Sequence, residues 1–157
     1  MNKEIKIIVP KGYEIDKELS TFEKIVFKKI IPIPKSIIER VNSFEDILKI
    51  SGKTLKEILP WQNPINKQQK SQNALAKIQL ITEVFNEKQK EDWKNNTQYK
   101  YSPYFQRNAH GGYWSFYHSS YCYSNAALGF GCYFKTKELS DNAGKKFIDI
   151  YKEYLPE

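Results

Sequence analysis

Arginine is nearly missing from this chain. Of its 25 basic residues only Arg40 and Arg107 are arginines, and the others are lysines. Arginine grips phosphate or guanine with two parallel bonds, whereas an ammonium is a hydrated point charge. The net charge of +7 therefore permits approach to a polyanion but excludes a dense arginine reader of base sequence. A lysine-rich surface from an AT-rich genome, where Lys, Ile and Asn all accumulate, accounts for the same composition. Cysteine is scarce as well. Cys122 and Cys132 are too few for a disulfide framework, and the expectation is two free, buried thiols in a reducing cytosol, with the pair able to face each other across a hairpin. No apolar run nears the roughly 20 residues of a membrane span. The opening MNKEIKIIVPKGYEI has too short an apolar segment for a signal peptide. These absences lead us to expect a protein of the cytoplasm with no membrane partner.

Catalytic signatures are equally thin. Gly111, Gly112, Gly129 and Gly131 sit among aromatics, not between a strand and a helix, so no phosphate-cradling loop is present. His110, His118, Cys122 and Cys132 lack the close pairs that bring zinc ligands together. His118 and Cys122 would share one face of a strand about 13 Å apart, too far for proton exchange. Only a tight turn through Ser119 and Ser120 would join them. Asp16, Glu45, Asp46, Glu87, Glu91 and Asp92 fall in caps and polar loops. We expect no cofactor, no metal and no enzyme activity.

What is abundant is aromatic side chains, at 15% of the residues. They concentrate between Trp93 and Phe134, where Tyr99, Tyr101, Tyr104, Phe105, Tyr113, Trp114, Phe116, Tyr117, Tyr121, Tyr123, Phe130, Tyr133 and Phe134 are separated by Gly, Ser and Asn. Such residues suit a pleated, half-buried surface cut by turns. We read strands near 99–106, 112–118, 120–124 and 128–135, with turns at His110-Gly111-Gly112 and Asn125-Ala126-Ala127. The aromatic face is a core, a protein interface, or a stacking platform for single-stranded nucleic acid. The candidate binding residues are Tyr99, Lys100, Tyr101, Tyr104, Arg107, Tyr113 and Trp114, with Gln106 beside them. Because the lysines are diffuse, oligonucleotide binding is expected to be absent, or weak and nonspecific.

The remaining elements frame this stretch within one domain, 1–157, read as 1–35, 36–92, 93–135 and 136–157. Residues 4–9 and 22–30 form an N-terminal hairpin, followed by the proline connector 31–35. Ser43-Phe44-Glu45-Asp46 and Thr54-Leu55-Lys56-Glu57 are capping boxes for two short helices that pack Phe44, Ile47, Leu48, Leu55 and Ile58, the first ending at Gly52 and the second at Pro60. After a polar loop over 61–70, a helix over 71–89 carries the apolar stripe Ala74, Leu75, Ile78, Ile81, Val84 and Phe85, with Thr82 on its other side. A final helix starts after Thr136 and turns Leu139, Ala143, Phe147, Ile150, Tyr151 and Tyr154 inward. The fold class is α+β: hairpin, central helices, antiparallel aromatic-rich meander, and a C-terminal helix packed on the sheet.

Three segments are familiar as a set: IVPKGYEIDKELSTFEKIVFK, WKNNTQYKYSPYF and GFGCYFKTKELSDNAGKKFIDIYKEYL. Together they resemble a family of small accessory proteins carried on phages and prophages of AT-rich bacteria. The resemblance implies a protein of mobile-element origin that acts by binding, such as an anti-CRISPR-like inhibitor of bacterial defence. Its implied partner is a host protein, a CRISPR effector nuclease or its guide RNA. Direct single-stranded nucleic-acid binding and a structural role in the virion are the alternatives. No catalytic residue is carried over.

Overall fold

The computed structural model describes residues 6–30, 36–90, 92–108, 112–123 and 131–155. Two compact units divide the chain, 1–34 and 35–157. In the first, β1 (Tyr13–Ile15) pairs antiparallel with β2 (Phe27–Lys29), Glu14 opposite Lys28. The hairpin expected from the sequence is present, but its strands are short and the first lies later than 4–9. Residues 6–9 form no strand. A turn at Gly12 (φ +84°), closed by Tyr13 N–H donating to the Pro10 carbonyl at 3.0 Å, moves pairing beyond it. The loop is held by side chain to backbone bonds. Asp16 accepts from the amides of Glu18 and Leu19, and the Ser20 hydroxyl accepts from Val26 N–H at 3.0 Å. The connector 31–35 lies outside the described residues.

Helix starts in the second unit follow local chemistry. Ser36, Ser43, Asn66 and Thr136 each stand before a helix and accept a bond from an amide three residues on. They open α1 (Ile37–Arg40), α2 (Phe44–Ser51), α4 (Lys67–Phe85) and α5 (Lys137–Lys146), while Thr54 precedes α3 (Leu55–Ile58). Both expected capping boxes form. Asp46 accepts from Ser43 N–H at 3.0 Å, and Glu57 from Thr54 N–H at 2.7 Å. Gly52, at φ +72°, ends α2.

Three boundaries differ from the sequence reading. The main helix begins four residues earlier than 71, because Asn66 caps Gln69 N–H at 2.9 Å. It ends at Phe85, where Glu87 and Lys88 turn left-handed. The C-terminal helix is two helices, α5 and α6 (Ile148–Tyr154), broken at Phe147.

The meander is a two-stranded ribbon. Strand β3 (Lys100–Arg107) pairs antiparallel with β4 (Trp114–Cys122), and a bridge joins Tyr101 to Phe134. No turn interrupts β4 at Ser119-Ser120. Ser119 is buried and its hydroxyl donates to Ser140 Oγ at 2.7 Å, which pins the strand to α5. Of the fourth expected strand only the Phe134 bridge forms among the described residues. The turns expected at 110–112 and 125–127 lie outside them, save Gly112 at φ +67°.

The core lies between α4 and its neighbours, with Val41, Ile47, Ile81, Phe85, Phe134 and Ala143 fully buried. Phe85 meets Phe134 and Phe147 edge to face, with centroids 6.0 and 6.1 Å apart. Asn86 ties α4 to the chain after the ribbon: its amide donates to the Tyr133 carbonyl at 2.8 Å and accepts from Lys135 N–H at 2.9 Å. The expected stripe of α4 is buried except for half-buried Leu75, and Thr82 turns inward, its hydroxyl bonded to the Ile78 carbonyl. Leu55 and Tyr154, expected inside, are exposed. The architecture is α+β, with two small antiparallel sheets. Among the described residues no helix is long and apolar enough to cross a membrane.

Candidate functional site

Ribbon β3–β4 packs one side on α5 and leaves the other side open. Contact with the helix is unusually close at Gly144, where an added Cβ would lie 2.6 Å from the Phe116 ring and 2.8 Å from Pro103. A bulge sits between Tyr104 and Phe105: Tyr104 faces His118, Phe105 faces Phe116, and Tyr117 has no partner. The extra residue restores the inward phase of Phe105 and Phe116, and Phe105 stacks on buried Tyr151 at 4.7 Å. Side-chain chemistry follows the two sides. The ribbon's phenylalanines go to the helices, while Tyr104 and Tyr117 stay more than half exposed.

The seven residues singled out from sequence fall into three places along the ribbon, whose β3 spans about 23 Å. At one end Tyr99 and Tyr101 join Tyr121 and Tyr123, which sequence reasoning had not placed in the site. Tyr99 lies 5.0 Å from Tyr121 and 4.8 Å from Tyr123, ring to ring. The Tyr123 hydroxyl donates to that of Tyr99 at 3.3 Å. This bond, aided by desolvation and neighbouring phenols, pushes ionisation of Tyr123 up to about 12. Mid-ribbon, Tyr104 is 5.3 Å from the His118 ring and Tyr117 is 4.7 Å from it.

At the other end Arg107, Tyr113 and Trp114 line a cleft of about 350 Å³ with Lys67, Lys70, Lys152, Glu153, Gly112 and Leu155. Arg107 Nε donates to the Gly112 carbonyl at 3.2 Å, which fixes its guanidinium at the wall. Tyr113 is 76% exposed there.

Lys100 differs from the sequence reading. It is 1% exposed, with its ammonium donating to the carbonyls of Asn95 and Gln98 and lying 5.1 Å over the Trp93 ring. Trp93 in turn packs edge-on against Tyr133. The charge organises the entry to β3.

His118 and Cys122 lie four residues apart on an unbroken strand, opposite Tyr104 and Lys100. That puts them about 13 Å apart, with no turn to close the gap. Neither Cys122 nor Cys132 forms a disulfide, and both are half-buried. Among the described residues no three His, Cys, Asp or Glu side chains gather as a metal site would need. For Tyr117, Tyr121 and Tyr123 the available signal was tyrosine itself, whose hydroxyl keeps one end of the ring in water where phenylalanine favours a dry contact. Nothing in the sequence linked Lys67, Lys70 and Lys152 to Arg107. No family model, no curated protein and no solved structure matches the chain.

Proposed function

We propose that this protein is a non-enzymatic accessory protein of phage or prophage origin. It acts in the cytoplasm of a host bacterium by binding and inhibiting a nucleic-acid-handling defence protein, in the manner of an anti-CRISPR. The observation that carries the binding reading is the open side of β3–β4, where Tyr104 and Tyr117 are held by a bulged ribbon with its other side locked on α5. Tyrosines on a rigid support give a large contact area at little entropic cost, and such residues dominate interface hot spots. The separation of His118 from Cys122 supports binding over nucleophilic catalysis. The choice of a defence nuclease as partner draws on the resemblance of the three segments quoted above.

The test is plasmid transformation of a bacterium carrying an active CRISPR effector, with the protein expressed in the recipient. Wild type should restore transformation and should co-purify with the effector. The Tyr104→Ala/Tyr117→Ala double variant should lose both while remaining folded. Failure of the wild type to restore transformation, together with recovery of no effector subunit, sinks the reading.

A further inference from the structure

The two sides of ribbon β3–β4 carry different chemistries. Pro103 and Phe116 meet Gly144, Ser119 bonds to Ser140, and Phe105 stacks on Tyr151, so these positions define the side that faces the helices. Alternation along the paired strands sends their neighbours to the open side. There the His118 ring lies 5.3 Å from Tyr104 and 4.7 Å from Tyr117. Around these rings stand half-buried Ser102 and exposed Ser115, Ser120 and Gln106. Among the described residues of the ribbon the open side presents no carboxylate, ammonium or guanidinium, in a chain of which 27% is charged. Lys100 is in phase with this side but is enclosed by Asn95, Gln98 and Trp93. Lys145 lies over the Phe116 ring, on the helix side.

Given the binding function proposed above, on which this rests, we infer that the open face docks on an uncharged, hydrogen-bonding surface of the partner protein, outside the groove that holds the partner's nucleic acid. Such grooves are lined by cations that neutralise phosphate. A protein filling one must offer carboxylates, and this face offers none while the chain carries +7. The face also supplies no cation for phosphate, so a nucleic-acid strand is not its occupant. What it does supply is tyrosine area and adaptable hydroxyls, the chemistry by which antibody loops recognise protein surfaces. Hydroxyl, amide and imidazole groups both donate and accept, which suits backbone and amide groups on the partner. The protein and the nucleic acid are therefore bound to the partner together, and inhibition proceeds without displacing the nucleic acid.

The experiment is affinity capture of a CRISPR effector, empty, loaded with guide RNA, and loaded with guide and target, from low to high salt. Wild type should hold all three forms equally, and affinity should stay flat with salt, because no charge pair crosses the interface. Charge added to the face should act without regard to sign. Ser120→Glu and Ser120→Lys should each weaken capture by about tenfold or more, since either leaves a charge buried without a partner. Ser115→Glu and Ser115→Lys give the same comparison at a second exposed position, and thermal melting selects the pairs that fold as wild type does. Recovery of no effector form by wild type defeats the functional reading and this inference with it. Capture that is released by guide or target, that falls steeply with salt, or that one sign of charge strengthens and the other weakens leaves the binding function standing and overturns the inference alone.

Discussion

The two β-ribbons of this protein share one topology and differ in nearly everything else. Ribbon β1–β2 has three residues per strand, and its unit leaves Phe22, Ile8 and Leu19 exposed. Bonds from Asp16 and Ser20 to the backbone hold its loop. Ribbon β3–β4 has eight and nine residues, a bulge, a bridge to Phe134, and a side pressed on α5. An isolated two-stranded hairpin is marginal in water, because half of each pleat has nothing to bury against. The difference teaches that ribbon order here comes from the helices behind it. It also explains why the tyrosines of β3–β4 can stay exposed without loss of shape: phenylalanines on the other side do the anchoring.

The comparison is broken most severely at Phe134, which is fully buried and pairs with Tyr101. Phe134→Ala should cost about 3–5 kcal/mol in a denaturant titration, as a large core aromatic does. Phe22→Ala in the first unit should stay within about 0.5 kcal/mol, as surface changes do. Equal costs would show that the first unit has a core of its own.

Gly144→Ala probes the contact between α5 and the ribbon. With the new methyl group 2.6 Å from Phe116, ring or helix must shift, and the expected loss is about 1–3 kcal/mol despite alanine's better helix propensity. A gain in stability would mean that the ribbon is looser on α5 than its geometry implies.

Acid sharpens the contrast within the second unit. Backbone N–H bonds from Asn42 and Ser43 hold the Asp46 carboxyl below its ordinary range. A depressed folded-state pKa gives stability that is present above the unfolded value and lost as pH falls through the folded one. Thermal melts from neutral pH into the acid range should therefore fall less steeply for Asp46→Asn than for wild type, with the slopes parting as pH drops from the ordinary carboxylate range toward the lowered folded value. Parallel curves would mean that the cap bond is not made in solution.

The smallest expected effect is spectroscopic. Tyr123 should ionise near pH 12 by ultraviolet titration, and Tyr99→Phe, which removes its hydrogen-bond acceptor, should bring that value down without changing the melting temperature. An unchanged titration would place the two hydroxyls apart.

Much of the fold was legible in the sequence where the deciding atoms lie within one helical turn. Ser43 with Asp46, Thr54 with Glu57, Gly52 and Thr136 each mark a boundary that three or four residues suffice to build. The apolar spacing through Ala74, Ile78, Ile81 and Phe85 likewise fixed the buried side of α4. Tertiary structure decided what contacts across the chain decide. Ser119 looked like turn material, yet its bond to Ser140 carries β4 straight through and keeps His118 and Cys122 apart. Lys100 read as a surface charge, yet Asn95, Gln98 and Trp93 enclose it. The cationic cleft is the clearest case. Lys67 and Lys70 lie about forty residues before Arg107 and eighty before Lys152, so only the packing of α4, α6 and the ribbon could bring them together. Hydrogen-bond chemistry has a reach of a few residues and can be read in order, whereas a charge field sums over neighbours in space, which the order of residues does not reveal.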